Sequence, residues 1–453
     1  MITTHETDIA RECIKVALTK GADSARISLN KCVSDSVTML NGEIDKVTHS
    51  ADRSIYIYLY VGGKYGTFST NCLDMNEIES FIKNAVKMVE MLGEDEFRRL
   101  PDKERMADDA ITGQELGLYD NSYESIDTDT RLNKAKALSI FGKTETDGYT
   151  LISEEAEYTD SYDDTFVVDS QGFEGRHTET TFSAFAEMTI EDSEGNKYSG
   201  FWWKNTPFMD KLNESEVTNK ALDNAARQIG PKPRRGGRYK MVVDRNCATR
   251  LVSPIFTALN ASSIQQKMSF LDETIGKKVF SEGMTIIDMA RTPGRSGSRL
   301  YDTEGVATKN APVIENGVVK QYFVNTYMSG KTGLEPTVED ISRPCLMPYV
   351  KNEDLAGAEK EVSLKDILKL CGSGIYVTGF NGGNCNPVTG DFSYGVEGFA
   401  FSRGKITHPV REMLITGNLV ELWNNLAAAG NDARECARWQ IPTLAFEGVS
   451  FSA

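Results

Sequence analysis

Two carboxylates set two residues apart are the most chemical feature of this sequence: Asp302 and Glu304, in Tyr301-Asp302-Thr303-Glu304-Gly305. In an extended segment that spacing puts both side chains on one face. Close carboxylates can share acid/base work or hold a cation. The plainer alternative is a charged turn closed by Gly305. Around them, residues 291–330 carry more special-backbone residues than any other window. Gly294 and Gly297 lie upstream. Downstream, Asn316-Gly317 separates Pro312-Val313-Ile314 from residues 318–324, a strong hairpin signal.

Other arrangements are weaker. Residues 325–332 are one residue short of a phosphate-binding loop, with Asn325 where the first glycine belongs. Such a loop must open a helix, and Gly333 and Pro336 argue against a helix here. The four histidines, His5, His49, His177 and His408, are scattered, and no His-Glu-x-x-His helix exists. The remaining metal candidate is a site assembled from His408, Cys436 and a distant acid. Its plain alternative is a buried structural cysteine and an ordinary surface histidine. No G-x-S-x-G elbow marks a nucleophilic serine. Tyr56, Tyr58 and Tyr60 share one strand face, a pattern of packing or interface more than of a ligand platform.

The elements that must position these residues follow from periodicity. Thr3 and Glu6 have capping-box spacing before an amphipathic helix that buries Ile9, Ala10, Cys13, Ile14 and Ala17. A meander follows, turning at Asn41-Gly42 and Gly62-Gly63, then a helix over about 74–92. The acidic segment of about 94–150 is polar and weakly periodic, with one helix at 127–141. Strands are expected at 165–168, 178–190 and 197–203, and a helix over 215–229. The Pro/Gly/Arg stretch 231–237 reads as a linker. The domains are therefore 1–230 and 231–453. In the second, a strand at 239–243 precedes a helix over 246–260 interrupted by Pro254. A mid-helix proline costs about 3 kcal/mol, so a kink is expected, or a restart with Ser253 as N-cap. Ser363 and Asp366 cap a helix that Gly372 ends. Short Gly-punctuated strands follow. The fold class is α+β: an N-terminal helix/antiparallel-sheet domain plus a β-rich, barrel-like C-terminal domain.

Composition bounds the function. A net charge of −16 leaves the cluster Lys232, Arg234, Arg235 and Arg238 as the one basic patch, which argues against nucleic-acid binding. The eight cysteines form no C-x-x-C pair, which suits reduced thiols and a cytoplasmic location. No apolar run is long enough to span a membrane, and residues 1–20 do not read as a signal peptide.

Several windows together resemble the TldD/PmbA family, known as modulators of DNA gyrase and grouped with metallopeptidases. They are Tyr301-Asp-Thr-Glu-Gly305 with residues 312–322, Gly374-Ile-Tyr-Val377, Asn386-Pro-Val-Thr-Gly-Asp-Phe392, residues 403–410 and Thr416-Gly-Asn418. Asn41-Gly-Glu-Ile44 and residues 62–69 fit as well. The TldD-like branch carries a His-Glu-x-x-x-His zinc motif on a helix early in the C-terminal half, and a late cysteine ligand. The matching place here is residues 253–258, where Ser253 and Ala258 replace the histidines and Pro254 the glutamate.

The resemblance thus implies the PmbA (TldE) branch. It implies no cofactor here, with zinc expected only in a TldD-type partner. The implied role is a non-metal subunit of a cytoplasmic peptidase that helps form a channel for extended or unfolded peptides and the interface to that partner, as a heterodimer and/or a homodimer. The alternative is a stand-alone hydrolase using Asp302, Glu304 or His408, or a peptide-binding homo-oligomer. Asp302, Glu304, Gly305, Tyr376, Gly379 and Phe392 are the candidate substrate-binding residues. Exposed strand edges near 376–379 or 392–395 are candidates for strand addition by a peptide. The acidic composition gives the gyrase label no support.

Overall fold

Asn41 (φ 50°) and Gly42 (φ 84°) both adopt the left-handed backbone that a two-residue hairpin turn requires, and they set the first sheet. In a computed structural model, which describes residues 1–143, 148–351 and 362–453, this turn joins β1 (Ser24–Leu40) to β2 (Glu43–Val61). Strands β3 (Lys64–Thr70), β4 (Tyr149–Asp169), β5 (Glu174–Asp192) and β6 (Lys197–Thr206) complete an antiparallel sheet in the order β3-β2-β1-β4-β5-β6. Residues 144–147 of the polar segment lie outside the described residues.

One face of this sheet is covered in two patches. Ala25, Ile27 and Leu29 of β1 pack with Ile9, Cys13, Ile82 and Val89 from helices Thr4–Thr19 and Met75–Glu90. Further along the same strand, Val37 and Met39 pack with Ala135, Leu138, Val217 and Ala221 from helices Thr128–Leu138 and Glu214–Ala226. The last helix lies so close to β6 that a Cβ on Gly200 would come within 2.2 Å of the Ala225 nitrogen. The capping box of Thr3 and Glu6 forms as expected.

Strand β4 is far longer than the expected 165–168. Its buried positions alternate as Glu154, Ala156, Tyr158, Asp160, Tyr162, Asp164, Phe166 and Val168, so acids interrupt the apolar pattern. The two aspartates have arginine partners. Arg131 donates to Asp160 at 2.8 and 2.9 Å. Arg176 donates to Asp164 at 2.9 and 2.6 Å, and the Ile2 N–H adds a bond at 2.7 Å.

By its contacts the chain divides into two units. The first comprises Met1–Ala226, Arg291–Thr308 and Asn325–Val338; the second comprises Arg227–Ala290, Lys309–Val324 and Glu339–Ala453. The paired-acid turn therefore belongs with the first unit, where Tyr301 packs edge-on to Phe173 at 5.7 Å.

The second unit holds two sheets. A small one runs β10-β9-β8-β11, made of β8 (Ile286–Asp288), β9 (Ala311–Glu315), β10 (Val318–Val319) and β11 (Pro344–Leu346), all of which follow β7 (Gly237–Val243) in the chain. The Asn316-Gly317 hairpin forms between β9 and β10. Gly317 is required there, because a Cβ would sit 2.0 Å from the Phe280 carbonyl oxygen. The larger sheet is built from β7, β12 (Tyr349–Val350), β13 (Gly374–Cys385), β14 (Asp391–Ser402), β15 (Lys405–Asn418), β16 (Leu426–Ala429) and β17 (Leu444–Ser452). Its order is β12-β16-β17-β15-β14-β13-β7, and β17 also pairs with β7. That extra pairing closes β7, β13, β14, β15 and β17 into a five-stranded barrel, so the chain is α+β with a barrel in its second half.

Closure corrects one expectation. Tyr376 pairs with Phe399 on one side and Val242 on the other, and Ser393 lies between Asn384 and Thr416. Tyr376, Val377 and residues 393–395 are interior barrel backbone, not exposed edges. No helix among the described residues is long and apolar enough to cross a membrane.

Removing the buried carboxylate in Asp164→Ala leaves the Ile2 N–H without its acceptor and the Arg176 guanidinium without its counter-charge, with only the Ile2 carbonyl still accepting from it, a loss of about 3–5 kcal/mol. Urea unfolding followed by far-UV circular dichroism measures it; a midpoint equal to that of the parent chain would refute the assigned role of this pair.

Candidate functional site

The chain leaving β7 is folded back on itself by one carboxylate. Asp244 Oδ1 accepts the Asn246 N–H at 2.8 Å, and its other oxygen accepts the Tyr376 hydroxyl. The Asp244 carbonyl accepts from Cys247 N at 3.0 Å and Ala248 N at 2.9 Å. A 3-10 turn, Ala248–Leu251, leads to a helix at Ser253–Leu259 with Pro254 in its first turn. The proline thus restarts the helix as expected, but Val252, not Ser253, stands at the cap. Trp439 packs edge-on to Phe256 of this helix at 5.0 Å.

These elements line an open hollow of about 590 Å³, bordered chiefly by Cys247, Thr249, Arg250, Ser253, Phe380 and Trp439. That volume falls in the usual range of small-ligand pockets. The cation present is Arg250. Its Nη2 donates to the Gly383 carbonyl at 2.9 Å, and its guanidinium lies 4.8 Å from the Tyr394 ring centre. The Cys247 thiol is directed at the carbonyls of Asp244 and Val377, at 3.4 and 3.7 Å. Burial, reinforced by the charge of Asp244, pushes it well above the ordinary thiol range.

The sequence-expected residues fall in three places. Ser253 is exposed and lines the cavity, Pro254 is half-buried beside it, and Ala258 is 1% exposed in the core, so Ser253 and Ala258 do not meet at one point. Tyr376 is buried under the helix Leu364–Cys371, stacked on Phe399 at 6.3 Å, and its hydroxyl is taken by Asp244. Gly379 faces Glu397, whose carboxylate would lie 2.6 Å from an added Cβ. Phe392 is buried and stacks on Tyr394 at 5.4 Å.

Asp302, Glu304 and Gly305 lie in the other unit, as a turn. Asp302 Oδ1 accepts from the Glu304 and Val306 N–H groups at 2.9 and 3.0 Å, and the Gly305 N–H closes on the Asp302 carbonyl at 3.0 Å with φ +88°. Glu304 reaches the helix Thr326–Thr332 and accepts from Thr326 N at 2.9 Å and Oγ1 at 2.8 Å. The phosphate-loop look-alike therefore does open a helix, against expectation, because Asn325 caps it and Gly333 merely ends it. Its terminus is already met by carboxylate and amide oxygens.

Zinc can be tested against these residues. A metal centre needs converging imidazole, thiolate or carboxylate donors. The cavity offers a guanidinium, hydroxyls, aromatic walls and a thiol held protonated. Among the described residues, no group of three or more His, Cys, Asp and Glu side chains is arranged to hold a metal. His408 bonds to its neighbour Thr407 at 3.2 Å, and burial together with Lys232 and Arg234 lowers its basicity. The cavity residues do not fit a zinc ion.

Sequence reasoning found Ser253 but missed Cys247, Thr249, Arg250, Phe380 and Trp439. Each is an ordinary residue made relevant by convergence of three separate segments, and no spacing signals that.

Residues 25–89 match PmbA/TldA metallopeptidase domain 1, residues 121–229 the central domain and residues 236–453 the C-terminal domain. The chain belongs to the PmbA/TldD metallopeptidase family. It is 25% identical to the metalloprotease PmbA homolog of Haemophilus influenzae, over 96% of this chain and 93% of that protein. It is 24% identical to the metalloprotease PmbA of Escherichia coli O157:H7, over 97% and 96%. Among solved structures, a candidate modulator of DNA gyrase from Bacteroides thetaiotaomicron superposes with a TM-score of 0.92 at 37% identity, covering all of both chains. TldE from Thermococcus kodakarensis shares the fold, with a TM-score of 0.81 at 17% identity over 98% of this chain and 100% of that one.

Burial pushes the Glu304 carboxyl above its ordinary range. The Thr326 hydrogen bonds oppose this, the charge of Asp302 adds to it, and Arg26 opposes it. A raised folded-state value means the ionised group costs stability as pH rises through it, and the cost vanishes below the unfolded-state value near 4.3. Glu304→Gln is therefore expected to be at least as stable as the parent at pH 7, with the advantage gone by about pH 4. Glu304→Ala, which removes the acceptor, is expected to lose about 1–3 kcal/mol. Thermal melts of both variants across this pH range check the sign; a Gln variant less stable at pH 7 than at pH 4, relative to parent, would reverse it.

Proposed function

We propose that this chain is the non-metal subunit of a PmbA/TldD-type peptidase. It helps form a channel that accepts extended or unfolded peptides, and it presents the interface to a zinc-bearing, TldD-type partner. The observation that carries this reading is the helix Ser253–Leu259. At the positions the family resemblance gives to zinc ligands, it has an exposed serine and a buried alanine, beside a cavity lined by Arg250 instead of metal donors. Metal chemistry would then come from the partner, and this chain would contribute binding.

Asp302, Glu304 and Gly305 act here as scaffold: their polar groups are spent on the turn and on Thr326. Eight free cysteines suit a reducing cytoplasm.

Co-expression with a TldD-type protein from the same genome tests the proposal. The expected result is a stable complex that cleaves an unstructured peptide and is silenced by a chelator, while this chain alone, with zinc added, cleaves nothing. Robust, chelator-sensitive cleavage by this chain alone would overturn the proposal. A stable homodimer that recovers no metallopeptidase partner and binds peptide without turnover would replace it with a stand-alone binding protein.

A further inference from the structure

The cavity beside Ser253 carries hydrogen-bond donors that the protein itself leaves unspent. Arg250 is fixed through Nη2, which donates to the Gly383 carbonyl at 2.9 Å and the Gly382 carbonyl at 3.4 Å, and by the face of Tyr394. Its Nε and Nη1 have no acceptor among the described residues. The Thr249 and Ser253 hydroxyls line the same cavity and take part in no side-chain hydrogen bond among those residues.

Neighbouring carboxylates are already engaged. Asp244 accepts from Asn246 and from the Tyr376 hydroxyl, and Glu397 accepts from Asn381 at 3.4 Å. The cavity wall thus combines a pre-oriented cation, two hydroxyls and the aromatic surfaces of Phe380 and Trp439, and among the described residues Arg250 is its one charged lining residue. The open nitrogens, Nε and Nη1, lie on opposite sides of the guanidinium, so a carboxylate takes one charge-assisted bond from Arg250 and its other oxygen is left for a neighbouring hydroxyl.

We propose that this cavity binds the free C-terminal carboxylate of a peptide. Arg250 takes the carboxylate, Ser253 and Thr249 supply further donors, and the terminal side chain is taken up by the aromatic wall of Phe380 and Trp439. The assignment rests on the peptide-binding reading above and adds to it which end of the peptide this chain holds. It also gives the helix Ser253–Leu259 a binding role in place of metal ligation.

The test is calorimetric titration of the full chain with two unstructured peptides of one sequence ending in leucine, one a free acid and one an amide. N-acetyl-leucine serves as a small-carboxylate probe. The acid is expected to bind roughly ten-fold or more tighter than the amide, the scale of one charge-assisted contact. Arg250→Met is expected to erase the difference, Arg250→Lys to retain only part of it, and Ser253→Ala to narrow it a few-fold. Arg250 and Ser253 are both exposed, so melting temperatures near that of the parent are expected and serve as the folding control. Equal affinity for acid and amide, or a difference that survives Arg250→Met, overturns this inference while leaving peptide binding intact. Arg250-dependent binding of N-acetyl-leucine with no binding of either peptide overturns the peptide assignment and the proposed function together. Failure of all three probes also overturns both.

Discussion

The N-terminal unit depends on placing carboxylates where a sheet would ordinarily place aliphatic side chains. Asp160 and Asp164 point to the covered face of the longest strand, with side chains fully buried. An ionised group there survives only with a geometrically matched partner. Arg131 comes from the helix Thr128–Leu138 and Arg176 from the neighbouring strand, and each pairs through two nitrogens. The consequences spread. Arg131 also reaches Asp35 on β1 at 3.2 Å, and Asp164 pins the N-terminus through Ile2. Helix, sheet and chain start are thereby held in one register by groups that tolerate few alternatives.

The same device explains where the sequence was readable and where it was not. Helix caps and two-residue turns are local, so Thr3/Glu6, Ser363/Asp366, Asn41-Gly42 and Asn316-Gly317 could be read directly and form as expected. Strand β4 could not be read at full length, because its period-two pattern is broken by Asp160 and Asp164, whose partners lie 29 and 12 residues away. The helix at Thr326–Thr332 was missed for a related reason. Gly333 and Pro336 look like breakers, but a helix of seven residues needs only its Asn325 cap and a stop at Gly333. As for the site, Ser253 was found only through the family resemblance. Arg250 and Trp439, 189 residues apart in number, carried no signal of their meeting.

Closure of the barrel shapes the cavity. Parallel pairing between β7 and β13 stops at Val243 and Val377, yet β13 continues to Cys385. Beyond Val377 its outer backbone edge has lost its strand partner. The segment from Asp244 to Arg250 turns back over that edge. The Asp244 N–H donates to the Val377 carbonyl at 2.9 Å, and further along Arg250 donates to the Gly383 carbonyl. A side chain thus meets an acceptor that a longer β7 could have met with its own N–H groups. Gly383 must be glycine for this bend, since a Cβ would fall 1.9 Å from the Ser393 carbonyl oxygen. The early end of β7 leaves the space, the aromatic walls of Phe380 and Trp439 bound it, and the bond to Gly383 orients the guanidinium within it. A ligand-sized hollow with a fixed cation is therefore a consequence of how the barrel closes, independent of whether a metal ever occupied the neighbouring helix.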